Sequence, residues 1–195
     1  MLLVQKSAKI LVKINLVWTV GIKHWQDING GRKDNMYYVI TDTHFGHEDI
    51  KTLANRPDNY EDLIIKSWNS LVKADDIVIC LGDMAWGVSN LEKFKDLKGK
   101  KILTLGNHDN FTTIILYQFF DFVCNEFSMN YKGFNIIFSH KPKIFHDCDI
   151  NIHGHLHGLA IIKSVCAHFP IDLEHMGYRV ISLNEIIKEI EWCRR

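Results

Sequence analysis

Proline is scarce in this 195-residue chain, which has only three, and with 47% apolar and 24% charged residues the balance is that of an ordinary globular protein. Collagen-like repeats, coiled coil and intrinsic disorder are excluded by that composition. Charge of one sign is missing too, since 23 Lys and Arg stand against 23 Asp and Glu. A chain without net charge lacks the pull that drives non-specific binding to nucleic acid or anionic membranes, which leaves at most a local basic patch. No stretch reaches the ~18 uninterrupted apolar residues of a membrane span. Ile10 to Ile22 has the apolar character of a signal segment, but Lys13 and Asn15 interrupt it and no small-residue cleavage site follows. Cysteine pairs are also absent: Cys80, Cys124, Cys148, Cys166 and Cys193 are odd in number and scattered, with no Cys-x-x-Cys spacing. That usage favours a reducing compartment, so a cytoplasmic location is the expectation.

Histidine is abundant instead, with 11 residues, and imidazole is the commonest metal ligand and proton carrier near neutral pH. At ~100–200 residues per domain, the length suits a single domain. Its start is marked by Asp27-Ile-Asn-Gly-Gly-Arg-Lys-Asp34, a glycine- and charge-rich stretch before a strand-like run opens at Met36. Residues 1–35 therefore read as an N-terminal extension: an edge strand over Leu11 to Val20, an unstructured tail, or upstream sequence with Met36 as the start. Residues 36–195 are the expected domain.

Within it, Tyr37–Ile40, Ile77–Leu81, Ile102–Leu105, Ile136–Phe138 and Ile150–Ile152 read as buried strands, rich in β-branched residues and bounded by turn signals. Helical spacing of apolar residues marks Glu61–Val72, Ser89–Leu97 and Phe111–Phe120. Alternating strand and helix implies an α/β layered fold with a mostly parallel core. Leu159–Ala167 and Tyr178–Ser182 then read as further strands, and a closing helix is expected from about Asn184.

Each of the first five apolar runs ends in polar residues of one kind. They are Asp42-Thr-His44, Gly82-Asp83, Gly106-Asn-His-Asp109, Ser139-His140 and His153-Gly-His-Leu-His157. Taken singly, Asp-Thr-His suits a helix cap, Gly-Asp an ordinary turn, and a lone His140 a satisfied core histidine. Five coincidences at the same end of separate strands, where ligands bind in α/β sheets, are another matter. Carboxylate, imidazole and carboxamide without a nearby thiolate suit manganese, iron or zinc and argue against a structural zinc site. Seven such ligands exceed the needs of one ion. Two ions ~3.5–4 Å apart, sharing a carboxylate, use them better, and that arrangement serves in-line displacement at phosphorus.

These five blocks, in this order over about residues 36 to 190, resemble the calcineurin-like metallophosphoesterases. The continuation Phe45-Gly-His47, Asn55-Arg-Pro57 and the run Asn151 to His157 are similar to the small single-domain bacterial and phage members. The resemblance implies a two-sheet β-sandwich flanked by helices in four layers. It implies two divalent ions, manganese first among candidates that include iron, zinc, cobalt and nickel. Asp42, His44 and His157 would hold one ion, Asn107, His140 and His155 the other, and Asp83 would bridge them, with a metal-bridging hydroxide as nucleophile. His108 would contact the phosphate and protonate the leaving oxygen, with Asp109 orienting its ring and keeping it cationic.

One departure is the second block, Gly82-Asp-Met-Ala-Trp86, where many members carry a further acidic residue and an arginine. Trp86 there either shields the site or stacks on substrate. The short span from Asp109 to His140 leaves little room for a cap domain, so an open site is expected. His47 is either a phosphate contact or a surface histidine, Arg56 either a bidentate phosphate contact or a salt-bridge residue, and His153 either a support for a ligand histidine or a strand end. The expected activity is hydrolysis of a phosphomonoester or phosphodiester, with a small phosphoester or nucleotide as substrate, no membrane partner, and nucleic acid not indicated by charge. The alternative is a non-catalytic scaffold of the same fold, which loss of His108 or of a ligand would mark; the set here is complete. A metallo-β-lactamase type is disfavoured because Gly158-Leu159 stands where that type has Asp-His after its paired histidines.

Overall fold

The computed structural model describes residues 35–143, 148–157 and 167–193. The candidate edge strand at 11–20 and nearly all of the strand expected at 159–167 lie outside them. In chain order the strands are β1 (Tyr37–Ile40), β2 (Ile77–Cys80), β3 (Lys100–Thr104), β4 (Phe122–Cys124), β5 (Glu126–Tyr131), β6 (Phe134–Ser139), β7 (Ile150–His153), β8 (Ala167–Pro170) and β9 (Ile181–Ser182). The helices are α1 (Ile50–Leu53), α2 (Tyr60–Leu71), α3 (Val88–Leu91, continued by a 3-10 turn over Glu92–Lys95), α4 (Thr113–Leu116) and α5 (Leu183–Cys193).

Two sheets result, ordered β4-β3-β2-β1-β9 and β5-β6-β7-β8. In the first, β1 to β4 run parallel and only β9 is reversed. In the second, β5 and β6 pair antiparallel, while β6, β7 and β8 are parallel. The parallel core expected from the alternation is thus present, as a sandwich of two sheets with flanking helices.

Burial explains why these short β-branched runs become strands. Alternate residues of a strand face opposite ways. Val78, Cys80 and Leu103 join a core cluster with Ile64 and Trp68 of α2 and with Phe94 and Phe120, while Ile77, Ile79 and Ile102 on the other face are buried as well. A sheet covered on both faces reads as a continuous apolar run, the usual signature of parallel strands. Trp68 is fully buried, and its indole donates to the Lys98 carbonyl at 2.8 Å. Truncating such a residue to Ala costs ~3–5 kcal/mol.

Some boundaries differ from the expectation. The helix expected over Ser89–Leu97 divides into α3 and the 3-10 turn, and that expected over Phe111–Phe120 shortens to α4. The strand expected over Tyr178–Ser182 contracts to β9, because Tyr178 takes a left-handed φ of 57° that ends regular extension. The β5 strand has no counterpart in the expectation, since it exposes Glu126, Ser128 and Asn130 and buries only Phe127 and Met129. What matters for function is direction: β1, β2, β3, β6 and β7 deliver five loops to one place.

Candidate metal centre

The loops after β1 and β2 stay paired beyond their strands. The Asp42 N–H donates to Gly82 O at 2.9 Å, that of His44 to Asp83 O at 3.0 Å, and that of Phe45 to Met84 O at 3.1 Å. This brings the first two polar blocks side by side. Two glycines let the remaining loops close in. A Cβ at Gly106 would stand 2.1 Å from Asp83 Oδ1, and one at Gly154 would stand 2.0 Å from Thr41 Oγ1 and 2.4 Å from Asp42 Oδ2. Only a residue without a side chain fits at either point.

Seven polar side chains converge there, in two groups. Asp42, His44 and His157 present ligand atoms within 4.8 Å of one another, and so do Asp83, His140 and His155. Each carboxylate is tethered by one oxygen and aimed by the other. Asp42 Oδ2 accepts the Thr41 hydroxyl at 2.6 Å and the His155 N–H at 2.9 Å, leaving Oδ1 at 3.5 Å from His157 Nε2 and 3.8 Å from His44 Nε2. Asp83 Oδ1 accepts the His108 N–H at 2.7 Å, leaving Oδ2 at 3.3 Å from His140 Nε2 and 4.0 Å from His44 Nε2. In the second group His140 Nε2 also lies 3.0 Å from His155 Nδ1 and 3.1 Å from Asn107 Oδ1, while its Nδ1 is fixed on the Leu81 carbonyl at 2.8 Å.

A divalent cation fits this donor set. Asp42 Oδ1 and His44 Nε2 are buried with no hydrogen-bond partner, a state that costs free energy unless something else satisfies them. Backbone strain gathers at the same residues: Asp42, His44, Asp83, His155 and His157 all have positive φ, between 43° and 71°. Side-chain-bearing residues adopt that region rarely and mostly where function holds them. Protonation states suit metal capture as well. Burial pushes His44 down to about 3, with the Arg56 and His157 charges adding to it, and burial also lowers His155, which favours the neutral rings that metal ligation requires. Burial alone would raise Asp83, but the hydrogen bond and charge of His140 and the His108 N–H outweigh it and hold the carboxyl down to about 2. Conversely, the Asp83 hydrogen bond and the Asp42 and Asp83 charges raise His140 against its own burial.

The expected site residues are all brought together, with one change of role. Asp109 does not orient His108: its Oδ2 accepts the N–H groups of Asp83 and Gly106, each at 2.8 Å, and its Oδ1 accepts that of Met84 at 3.0 Å. A buried carboxylate ringed by main-chain donors fixes loops, and no bond between it and the His108 ring occurs among the described residues. For Arg56 the salt-bridge reading holds rather than the phosphate contact. Its guanidinium is buried on the Asp42 and Thr43 carbonyls and against Glu174. His108 is exposed, with its ring 5.8 Å from that of His44 and 5.6 Å from that of Trp86. Trp86 also meets the His47 ring at 4.2 Å, so it stands at the rim as a half-exposed brace. His153 is fully buried on the Gly154 carbonyl and pushed down to about 4 by that burial; it is a strand-end residue.

Three participants escape sequence reading. Glu174 Oε1 lies 3.5 Å from His157 Nδ1 and 2.6 Å from Arg56 Nη2, and the bonds to His157 and Asp172, with the Arg56 charge, hold its carboxyl well below the usual range despite burial. Tyr60 donates to the His44 carbonyl at 2.8 Å. Thr41 tethers Asp42, as described above.

The sequence profile of the calcineurin-like phosphoesterases matches residues 37–191. The chain is 30% identical over 170 residues to the uncharacterised protein MJ1445 of Methanocaldococcus jannaschii, covering 79% of this chain and 90% of that one. It is 36% identical over 80 residues to the gene 66 protein of Mycobacterium phage L5, covering 37% of this chain and 39% of that protein. Among solved structures, AQ665 of Aquifex aeolicus, described as a protein of unknown function, superposes with a TM-score of 0.69 at 29% identity, over 80% of this chain and 99% of that one. With two sheets, five loops and the family's sequence profile in agreement, the chain belongs to the calcineurin-like phosphoesterase family.

Proposed function

We propose that this chain hydrolyses phosphoric esters with two divalent ions, one held by Asp42, His44 and His157, the other by Asn107, His140 and His155, and Asp83 shared between them. The observation that carries the reading is Asp83 Oδ2, which sits with His140 and His155 in one group and faces His140 Nε2 at 3.3 Å, yet also comes within 4.0 Å of His44 Nε2 in the other. When bound, such a pair supplies an activated water and neutralises phosphoryl oxygens during in-line displacement; manganese is the expected activator.

The remaining steps fall to the protein's own side chains. His108 stands at the mouth of the site, and its loop is registered on the shared carboxylate through the 2.7 Å bond from its N–H to Asp83 Oδ1. From there the imidazole contacts the phosphate and gives a proton to the departing oxygen. Asn107, exposed beside it, turns its Oδ1 toward His140. Thr41 and the His155 N–H hold the Asp42 carboxylate, the His108 N–H holds that of Asp83, and Asp109 fixes the Asp83 main chain, so little reorganisation is needed as charge develops.

The test is hydrolysis of bis(p-nitrophenyl) phosphate by the purified chain. Activity is expected to vanish on chelation and to return with manganese. Turnover that persists after elemental analysis finds no divalent metal would overturn the reading.

A further inference from the structure

Two cavities meet at this centre, and Asn107 lines both. One, of about 280 Å³, opens over the candidate ligands and His108 and is walled by Ile50, Leu53 and Ala54. Leu53 is 76% exposed, an unusual position for a leucine beside such polar groups. The His47 ring lines the same cavity, backed by Trp86. The other cavity, of about 270 Å³, extends from Asn107 and His140 along Lys141 and Lys143. Lys143 is paired with Glu126, whereas Lys141 is exposed and has no carboxylate partner among the described residues.

The two sides therefore select opposite chemistry. An apolar wall of Ile50, Leu53 and Ala54 with the His47 and His108 imidazoles at its edge suits a flat ring. An exposed ammonium with no carboxylate partner among the described residues suits an anion. Because the chain carries no net charge, that attraction is local and does not favour a long polyanion.

We propose that the substrate is a nucleotide unit with a further phosphate: the base lies in the Leu53 cavity on the His108 side, the scissile phosphate at Asn107, and the second phosphate against Lys141. This rests on the phosphoesterase reading above, and it makes the nucleoside oxygen the one that His108 protonates.

Calorimetric binding to the manganese-loaded chain tests it with ribose 5-phosphate, thymidine 5′-phosphate and thymidine 3′,5′-bisphosphate. Each is expected to bind more tightly than the one before, by about tenfold for the base and about threefold for the exposed ammonium contact. Leu53→Ser is expected to abolish the first step alone and Lys141→Ala the second alone, and added salt to shrink only the second. Metal content should be unchanged in both variants. Three probes of equal affinity, or a variant that weakens all three alike, would overturn the proposal. Thymidine 5′-diphosphate and a 5′-phosphorylated thymidine dinucleotide, run alongside, distinguish a free nucleotide from a strand end; Lys141-dependent binding of either supports it. Calorimetry needs no turnover, so ordered binding without hydrolysis would count against the phosphoesterase reading, whereas hydrolysis without ordered binding would count against the nucleotide alone.

Discussion

Asp109 accepts the main-chain N–H of Asp83 at 2.8 Å, which fixes the backbone beneath the carboxylate that faces both His140 and His44. The same side chain takes two further N–H groups, from Gly106 and Met84. An amide has one accepting oxygen where the carboxylate has two, so Asp109→Asn leaves buried donors unsatisfied at ~1–3 kcal/mol each. We expect a lower denaturation midpoint and weaker metal binding together. A variant of parent stability and parent metal affinity would return Asp109 to the ring-orienting role.

Asp83→Ala is expected to remove both ions, because Asp83 Oδ2 faces both groups, whereas His140→Ala removes one. Elemental analysis of the two purified variants after metal loading checks this. Two ions per chain in the Asp83 variant would end the shared-ligand assignment.

Glu174 links Arg56 to His157, and Arg56 in turn holds the Asp42 and Thr43 carbonyls. A partner that orients a ligand histidine is worth ~10–100-fold in metal affinity. Glu174→Gln should therefore weaken the ion on Asp42, His44 and His157 by about that factor and leave the other nearly untouched, which stepwise metal titration resolves. Equal weakening of both would make Glu174 a general prop of the fold.

These residues also mark how far the sequence alone reaches. The five strand ends are legible because burial forces each parallel strand into an apolar run, so the first polar residues after it stand out. Asp42, Asp83, His140 and His155 each follow a strand within three residues. Arg56 and Glu174, by contrast, are separated by 118 positions, and no local period announces the pair. Asp109 sits inside a legible motif, but its partners are main-chain N–H groups, which every residue carries and no pattern records. The β5 strand hides for a related reason: Glu126, Ser128 and Asn130 face solvent, and an edge strand half in water does not look like a core strand.

His108 supplies the sharpest test, since its place at the mouth of the site distinguishes a proton donor from a ligand. It belongs to neither cluster of ligand atoms, so His108→Gln should leave metal content nearly unchanged. General acid catalysis is worth ~10²–10⁴-fold, and most when the departing alkoxide is a strong base. A nitrophenolate leaves readily without a proton, whereas an alkyl or nucleoside alkoxide does not. We therefore expect a small loss of kcat with nitrophenyl esters and a loss toward the upper end of that range with alkyl or nucleoside esters, added to any uniform loss from a missing phosphate contact. Plotted against leaving-group basicity, the variant should show the steeper dependence. Parallel plots for variant and parent would reduce His108 to an electrostatic contact, and loss of an ion would make it a ligand.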